Sequence, residues 1–423
     1  MERGIPGFSE WRLFYLVHLI ISHKQETHRG SYAPLTMSRM VAIVPNARKY
    51  LYYLRDHGVI EWKNYLKNRN SRLYRLTANY EGPTVCRTLT DTKLANRIES
   101  QYREIRNANS KKYPDLNRWV YRVQVEEAKA KQKIQEVYIN NLREGKPNAE
   151  SIKTFGLNEI DKIARGEIYI RVNKTNGRYD SNFTRLPSYL VPFLRINNLP
   201  LMEIDIANSQ PFFAGCLFNP TPEIRDIMGN SLYMYEKALH LSDKQDVKHF
   251  INLVSSGEFY DYMAEQFNEH GITYADRSDL KEQIFIVFFG RNSARYVSRS
   301  VKLFESLFPN VSALFALIKK EEHNRLAILL QRIESNIILK RVAPRITATF
   351  PDLPFITKHD SLLPVHRSGG FIVPGHTVEA VKGIIENTIQ ETAGLKPLVR
   401  VKNGFLSGQF HELSIKSENI SKI

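Results

Sequence analysis

The sequence DRSDLKEQIFIVFFG, from Asp276 to Gly290, decides how the larger part of the chain is interpreted. It predicts a helix that begins after Asp276, because an aspartate side chain caps the free amides of a first helical turn. Four residues recur at every fourth position and form one slowly winding stripe on this helix: Arg277, Lys281, Phe285 and Phe289. Cations come first and aromatic rings follow. That order suits a nucleoside triphosphate, because phosphates favour cations whereas base and sugar favour flat apolar surface. Taken alone, the pattern is better explained by an amphipathic helix with core aromatics and solvated charges.

Two further segments place an aspartate at the end of a strand. Leu201 to Ile206 predicts a buried strand that ends near Asp205, and the polar run and proline that follow predict the start of a helix. Pro354 to Val365 has two apolar arms around a polar centre, which predicts a β-hairpin with His359 and Asp360 at its tip. Each feature by itself is typical of an ordinary turn.

Taken together, the three segments contain the parts of a two-metal phosphoryl-transfer site. We expect Asp205 and Asp360 to hold two Mg²⁺ ions, for which Mn²⁺ can substitute, with the backbone carbonyl of Ile206 as a further ligand. Lys281 is then expected where negative charge develops in the reaction.

The composition limits the class of protein. The chain has 423 residues, of which 42% are hydrophobic and 25% charged, so it is long enough for two or three domains and is not disordered. Its net charge of +16 favours nucleic acid as a partner. Two cysteines, Cys86 and Cys216, are too few for a zinc ribbon and fit a reducing compartment. The stretch from Leu13 to Ile21 is too short for a membrane span and lacks a cleavage site, so we expect a cytoplasmic protein.

The amino-terminal region predicts three helices and a basic hairpin. We expect helices from Ser9 to Ile21 and from Thr36 to Val44, then a third helix capped by Asn46, followed by strands around Trp62 and Leu73. Three helices and a two-stranded wing describe a winged helix. The residues expected to contact DNA are Arg48, Lys49, Tyr52, Lys63, Lys67, Arg69 and Arg72. A protein-contact module with solvated charges is the alternative.

The chain is therefore predicted to have an α+β fold in three parts. Residues 1–85 form the winged helix, residues 86–165 form a charged helical arm, and residues 166–423 form the catalytic part. Within the arm, Trp119, Val120 and Val123 show helical spacing, and Gly145 to Pro147 separates two helices. The arm either grips a duplex or serves as a plain spacer.

The motifs of the third part resemble those of the family A DNA polymerases and the related single-subunit RNA polymerases of phages and mitochondria. The helix is similar to that group's R-x-x-x-K-x-x-x-F-x-x-x-Y-G pattern, and the other motifs follow in the family's order. The residues that carry the resemblance are Asn176-Gly177-Arg178, Asp205, Arg277, Lys281, Phe285, Phe289, Gly290, Gln331 and His359-Asp360.

The resemblance implies a palm, fingers and thumb arrangement, with both aspartates in an antiparallel palm sheet and the Arg277 helix in the fingers. It implies that Arg178, Gln331 and His359 contact the primer and template. The helical arm occupies the place of the thumb in the chain order. No D-x-E element of a proofreading exonuclease precedes the polymerase motifs, so we expect no 3′ to 5′ exonuclease.

Three departures from the family pattern concern the choice of sugar. Gln210 stands where DNA-making members carry a glutamate that excludes ribose, and Phe289 replaces a tyrosine. Both changes favour deoxynucleotides, because the amide is bulky and the phenyl ring lacks a hydroxyl for a ribose. Ser361 after the His-Asp pair instead resembles the RNA polymerases. Glu334 stands where the family has a small residue, so it either replaces a missing carboxylate or pairs with Arg332 or Arg341.

We therefore expect an exonuclease-free DNA-directed DNA polymerase of a phage or mobile element, which binds template, primer and nucleoside triphosphates. A primase or small RNA polymerase is the first alternative. A non-catalytic DNA-binding replication initiator is the second.

Overall fold

The structure is a computed structural model that describes residues 5–27, 32–63, 71–80, 82, 87–110, 112–229, 232–366 and 378–402. The chain forms two compact units. One comprises Met1–Ala108 with Ile134–Glu159, and the other comprises Asn109–Lys133 with Ile160–Ile423. Three residues named in the sequence analysis lie outside the described residues: the predicted DNA contacts Lys67 and Arg69, and Cys86.

The elements up to residue 164 are α1 (Glu10–Thr27), β1 (Ala33–Leu35), α2 (Met37–Ile43), α3 (Ala47–Asp56), β2 (Ile60–Lys63), β3 (Arg72–Leu76), α4 (Thr92–Ser110), α5 (Pro114–Val120), β4 (Val123–Val125), α6 (Glu127–Arg143) and α7 (Ala149–Ala164). The strands after residue 164 are β5 (Ile170–Val172), β6 (Tyr179–Ser181), β7 (Leu194–Ile196), β8 (Leu199–Pro200), β9 (Glu203–Ile206), β10 (Phe355–Lys358), β11 (Ser361–Pro364) and β12 (Val399–Lys402).

The helices after residue 164 are α8 (Asn182–Arg185), α9 (Ser209–Gly215), α10 (Pro222–Met228), α11 (Leu232–Ser242), α12 (Gln245–Ser256), α13 (Phe259–Glu269), α14 (Arg277–Phe289), α15 (Arg299–Leu307), α16 (Pro309–Ile318), α17 (Arg325–Ile337), α18 (Ala343–Thr349) and α19 (Val378–Ala393). Short 3-10 turns lie at Ala78–Tyr80, Ser188–Phe193, Cys216–Phe218 and Asn292–Tyr296, and a π-helical turn at Ile338–Val342 joins α17 to α18. Helices with small antiparallel sheets confirm the predicted α+β class.

The first unit begins with the order α1, β1, α2, α3, β2, β3. Its strands form an antiparallel sheet in the order β1, β3, β2, in which Tyr74 lies opposite Ala33 on one side and Trp62 on the other. The backbone of Asn46 is left-handed where α3 starts, and Gly58 has a φ of 69° after it ends. One apolar core holds these elements together and includes Leu16, Ile20, Met40, Leu51, Leu54 and Tyr74.

This part of the fold follows the prediction with three differences. The first helix continues six residues beyond Ile21, to Thr27. Thr36 and Asn46 precede α2 and α3 as expected, but neither side chain makes a capping hydrogen bond. Strand β1 was not predicted, because three residues with a proline in the middle, Pro34, give no strand signal.

In the second unit, a four-stranded antiparallel sheet has the order β10, β11, β9, β12. Strands β10 and β11 form the predicted hairpin, and Lys358 pairs with Ser361 so that His359 and Asp360 make up its tip. The register of β11 with β9 sets Leu362 opposite Ile204. Since this pairing is antiparallel, Ser361 lies beside Asp205 and the hairpin tip beside the end of β9.

Helix α14 packs on an aromatic cluster. Its buried residues are Leu280, Ile284, Val287 and Phe288. The ring of Phe288 contacts Phe259, Phe304 and Phe315, with centroids 5.2–6.2 Å apart. The stripe predicted from the sequence is offset from this face, because Arg277 is exposed and Lys281, Phe285 and Phe289 are half-buried. Phe285 and Phe289 are therefore not core residues, unlike in the alternative of an amphipathic helix with buried aromatics.

The charged region before residue 166 is mostly helical, with one correction. Val123 lies in β4, which pairs with β7 in the register Val123 to Ile196, and not in a helix. Val123 is four residues after Trp119, a spacing that predicted a helix, but α5 ends before it, at Val120. A break between α6 and α7 at residues 144–148 was expected from Gly145, which has a φ of 67°. The boundaries at residues 85 and 165 remain predictions.

In the described part of the chain, no single helix has the length and apolar composition to cross a membrane. One bent pair, α15 and α16, meets both criteria together with a bend of 118°.

Candidate active site

Asp205 and Asp360 are brought together by the pairing of β9 with β11. The hydroxyl of Ser361 donates to Asp205 Oδ1 at 2.9 Å, which ties the strand of one aspartate to the hairpin of the other. The backbone of His359 is left-handed, with a φ of 57°, a conformation that non-glycine residues rarely adopt outside turns. Burial and the charges of Asp205 and Glu334 raise the pKa of Asp360 well above its usual value. The charges of the two carboxyl groups therefore act on each other, and their role as metal ligands stays a prediction.

A lysine and a second carboxylate complete the β9 side of this site. Glu203 lies two residues before Asp205, so both side chains project from the same face of the strand. Lys402 on β12 pairs in register with Glu203, and its Nζ lies 2.9 Å from Glu203 Oε1 and 2.9 Å from Asp205 Oδ2. The hydroxyl oxygen of Ser361 also lies 3.1 Å from Glu203 Oε1, so its one proton is shared between the two carboxylates. The negative charges of Asp205 and Glu203 raise the pKa of Lys402 although burial opposes them.

Glu334 on α17 joins two of the predicted substrate-contacting residues. Its side chain is only 1% exposed. It accepts hydrogen bonds from Arg178 Nε at 2.9 Å and Arg178 Nη2 at 2.6 Å, and from the amide of Gln210 at 2.6 Å. Burial raises the pKa of Glu334, whereas Arg178 and Gln210 oppose that shift. The predicted pairings with Arg332 and Arg341 are wrong, because those guanidinium groups bond the carbonyl of Thr175 and the carboxylate of Glu223.

The turn between β5 and β6 is fastened to α17 by two further hydrogen bonds. Asn176 Nδ2 donates to Gln331 Oε1 at 2.8 Å, and the hydroxyl of Ser335 donates to the carbonyl of Asn176 at 3.0 Å. Gly177 has a φ of 75°, and a Cβ at this position would lie 2.8 Å from Ser335 Oγ. A glycine is therefore required here both by the backbone conformation and by the close approach of α17. This anchoring holds Arg178 and Gln331 in one region.

Helix α14 shares a buried tyrosine with the hairpin tip. Asp276 caps the helix as predicted, because its side chain accepts from the amides of Ser278 and Asp279. Lys281 Nζ lies 5.5 Å from the centroid of the Tyr260 ring. Burial raises the pKa of Tyr260, and the charges of Arg277 and Asp360 act on it in opposite directions.

Tyr260 thus lies near Lys281 of α14, and its pKa responds to the charges of Arg277 and Asp360. Arg277 also forms an ion pair with Asp261 at 2.9 Å. The other half of the stripe consists of two rings in contact, since the centroids of Phe285 and Phe289 are 5.3 Å apart.

Positive charge also lies close to the hairpin tip. Lys358 Nζ donates to the carbonyl of Leu186 at 2.9 Å, and burial lowers the pKa of this lysine. The pKa of His359 is lowered to about 4, first by burial and then by the charges of Arg178 and Lys358. His359 is therefore neutral at physiological pH.

The residues fit a divalent cation that is completed by oxygens of a substrate. Among the described residues no group of three or more His, Cys, Asp or Glu side chains is arranged to hold a metal ion. Mg²⁺ needs no such group, because it is commonly bound by one or two carboxylates together with water and substrate phosphates. A cation would relieve the repulsion between Asp205 and Asp360, which adds to burial in raising the pKa of Asp360. The carbonyl of Ile206 as a ligand stays a prediction.

Asn208 Nδ2 and Gln210 Oε1 are among the buried polar atoms near the start of α9 that have no hydrogen-bond partner within the described ranges. Such atoms are rare in folded proteins and are often satisfied by water or ligand. They lie at the segment that the sequence assigned to the substrate.

In the first unit, the predicted DNA-contacting residues Arg48, Lys49 and Tyr52 are exposed on α3. Arg72 is half-buried, with its guanidinium 5.0 Å from the centroid of the Trp62 ring. Arg55, which the prediction did not include, stacks over the rings of Tyr52 and Trp62 at 4.7 and 4.8 Å. Lys63 lies over the ring of Tyr32 at 4.5 Å. These contacts place basic and aromatic groups side by side.

The sequence missed Glu203, Lys402 and Lys358 as site residues. Glu203 had a usable signal, because strand alternation places it on the same face as Asp205. Lys402 had none, since it reaches the site only through the pairing of β12 with β9, about 200 residues earlier in the chain.

Comparisons with known proteins give little for this chain. No family model matches it, and no curated protein matches it. Among solved structures it is similar to the POL domain of Pol1 from M. smegmatis in a complex with DNA primer-template and dNTP, with 12% identity and a TM-score of 0.33. The match covers 63% of this chain and 55% of that one, so this chain spans about half of the length of that structure. A TM-score of this size is not evidence of a shared fold.

Proposed function

We propose that the chain is a template-dependent nucleotidyltransferase, and specifically an exonuclease-free DNA-directed DNA polymerase of a phage or mobile element. The observation that carries the proposal is the convergence of Asp205, at the end of β9, with Asp360, at the tip of the hairpin whose strand β11 pairs with β9. Helix α14 lies nearby, because Lys281 is 5.5 Å from the ring of Tyr260, a residue on whose pKa the charges of Arg277 and Asp360 both act. Paired carboxylates that can hold divalent cations, with a cationic helix nearby, suit a reaction between a hydroxyl and a triphosphate.

Each part of the site has a role in this proposal. Asp205 and Asp360 would hold the Mg²⁺ ions, with the carbonyl of Ile206 as a further ligand. Bound Mg²⁺ supplies an activated 3′-hydroxyl and neutralises charge on the triphosphate and the pyrophosphate. Arg277 and Lys281 bind the phosphates through charge-assisted hydrogen bonds. Lys281 lies deeper than Arg277 and serves the reacting phosphate.

The remaining site residues position the sugar, primer and template. Phe285 and Phe289 provide a flat apolar surface for base and sugar. Gln210 lies against the sugar, held by its hydrogen bond to Glu334. Arg178, Gln331 and His359 contact the primer and template, and a neutral His359 adds a hydrogen bond without adding charge.

The first unit would bring the polymerase to its DNA as a winged helix. The order of three helices and three strands and the exposed cations of α3 support this role. Arg48 and Lys49 would enter the major groove, with Tyr52 beside them, and Arg72 with Lys67 and Arg69 would follow the phosphates.

RNA synthesis, by a primase or small RNA polymerase, is the second candidate function, and one contact favours it. Ser361, which resembles the RNA polymerases at this position, replaces a carboxylate at the hairpin, and its hydroxyl lies within hydrogen-bond distance of both Asp205 and Glu203. A non-catalytic DNA-binding initiator is the third candidate.

The test offers the purified chain a primed and an unprimed template with Mg²⁺, together with dNTPs alone or NTPs alone. We expect extension only with primer and dNTPs. Products from NTPs on the unprimed template would favour the primase, whereas DNA binding without any incorporation would favour the initiator. Asp205→Ala is expected to abolish incorporation and to leave DNA affinity unchanged. The matched control is Asp243→Ala, which removes a surface carboxylate that is 91% exposed.

A further inference from the structure

The strongest feature outside the predicted motifs is the ammonium group of Lys402 between two carboxylates. Its Nζ lies 2.9 Å from both Glu203 Oε1 and Asp205 Oδ2. Asp205 Oδ2 does not accept the hydrogen bond from Ser361, so it is the freer of the two carboxylate oxygens for a divalent cation. A lysine and a metal ion cannot both occupy the same face of this oxygen at close range.

The three charged groups differ in how firmly they are held. The side chain of Glu203 is 8% exposed and that of Asp205 is 21% exposed, and Ser361 bonds to both. The side chain of Lys402 is 51% exposed. A long, half-exposed lysine side chain can swing its ammonium group away from Asp205 at small cost, because water hydrates that charge strongly. The carboxylates would therefore stay in place while the lysine moves.

We propose that Lys402 is a displaceable internal cation, which competes with a divalent ion for Asp205 and remains close to Glu203 when that ion binds. The inference rests on the proposed function, because it takes Asp205 as a metal ligand. It adds a positioning residue that no motif contains: Lys402 balances the charge of the two acids and sets how tightly the site takes up its metal.

The first test measures Mn²⁺ binding to the full chain by the loss of the electron paramagnetic resonance signal of free Mn²⁺. Lys402→Met removes the competing charge and is expected to tighten binding about tenfold, as for one charge-assisted contact. Lys402→Arg keeps a cation and is expected to bind within about twofold of the wild type. Asp205→Asn is expected to abolish the tightening by Lys402→Met.

A charge control separates competition from a general change in potential. Lys358→Met removes a cation from the same site, but Lys358 Nζ donates to the carbonyl of Leu186 and does not bond to Asp205. It is expected to tighten Mn²⁺ binding less than Lys402→Met does. Equal tightening by both variants would overturn the inference, and so would unchanged or weaker binding by Lys402→Met.

The second test follows the lysine itself in the wild-type chain. The rate at which an N-hydroxysuccinimide acetate reagent acetylates Lys402 is measured by peptide mass spectrometry, with and without Mn²⁺. We expect Mn²⁺ to raise this rate severalfold, because a displaced amine leaves the carboxylate of Asp205 and becomes more accessible to the reagent. Lys248, whose ion pair with Asp243 lies on the surface, is the internal reference and is expected to be unaffected.

Constant acetylation of Lys402 under conditions where Mn²⁺ binds through Asp205 would overturn the inference. A failure of the inference about Lys402 can be distinguished from a failure of the proposed function. Tighter Mn²⁺ binding by Lys402→Met without any nucleotide incorporation would support Lys402 as the competing cation and contradict the polymerase. Nucleotide incorporation by the wild-type chain together with unaltered Mn²⁺ binding by Lys402→Met would support the polymerase and contradict Lys402 as the competing cation.

Discussion

Glu334 is predicted to hold the substrate side of the site together, and Glu334→Gln tests this. The carboxylate is buried and accepts three hydrogen bonds, two from Arg178 and one from Gln210. A glutamine has the same shape but only one accepting oxygen, so its amide group would face a donor and leave Arg178 with an unbalanced charge. Removing one partner of a buried ion pair costs about 3 kcal/mol or more.

This loss should be local to α17, and hydrogen exchange of the amides of this helix measures it. A cost of about 3 kcal/mol corresponds to a decrease of roughly a hundredfold in protection. The matched control is Glu321→Gln, just before the same helix, where the carboxylate is 77% exposed and pairs with Arg325. An exposed pair of this kind contributes at most about 1 kcal/mol. The control is therefore expected to change protection by a few fold or less.

A double variant completes the test. Replacing both partners by apolar residues, Glu334→Leu with Arg178→Met, removes both buried charges and is expected to recover much of the protection. Unchanged protection in Glu334→Gln would refute the reasoning, because it would mean that the three hydrogen bonds do not hold α17. A double variant with losses equal to the sum of the single variants would contradict the direct pairing.

Three other predictions concern the hairpin tip and the turn before β6. The lowered pKa of His359 means that the folded chain takes up fewer protons than the unfolded chain, so this residue costs stability as pH falls from about 6.5 to about 4. His359→Asn should reduce that acid loss by up to about 3 kcal/mol in urea unfolding followed at each pH, and an identical pH profile would contradict it. The raised pKa of Asp360 acts in the opposite sense, since its folded form favours the proton and loses stability as pH rises. Asp360→Asn should therefore increase the free energy of unfolding at pH 8 by about 1 kcal/mol, and a decrease would argue against charge repulsion in the site. Gly177→Ala should lower the free energy of unfolding by about 2 kcal/mol more than Gly229→Ala does. Both glycines have a positive φ, but only at position 177 would the new Cβ lie against Ser335. Equal decreases in melting temperature would contradict this.

The sequence predicted elements that depend on local signals. The cap at Asp276 and the stripe residues at every fourth position after it lie within fifteen residues of each other. Helix α14 begins directly after that cap, at Arg277, and ends at the last residue of the stripe, Phe289. The hairpin that presents Asp360 was predictable for the same reason, because its arms and tip are adjacent in the chain.

The contacts that long-range pairing creates could not be predicted. The partner of Glu334 was sought at Arg332 and Arg341, but Arg332 is two positions away and does not face Glu334 on a helix. The actual partner, Arg178, lies about 155 residues earlier, and only the anchoring of its turn on α17 brings it there. Local spacing also failed at Val123, because pairing with Ile196 makes that segment a strand.

The central claim is that Asp205 and Asp360 act as one unit in nucleotidyl transfer. The measurement that tests it most directly is the single-turnover rate of primer extension for Asp205→Ala, Asp360→Ala and the double variant, with Asp243→Ala as control. We predict that each single variant is as inactive as the double variant, because groups that act as a unit show non-additive losses. A single variant that keeps the wild-type rate, or losses that multiply in the double variant, would contradict the account.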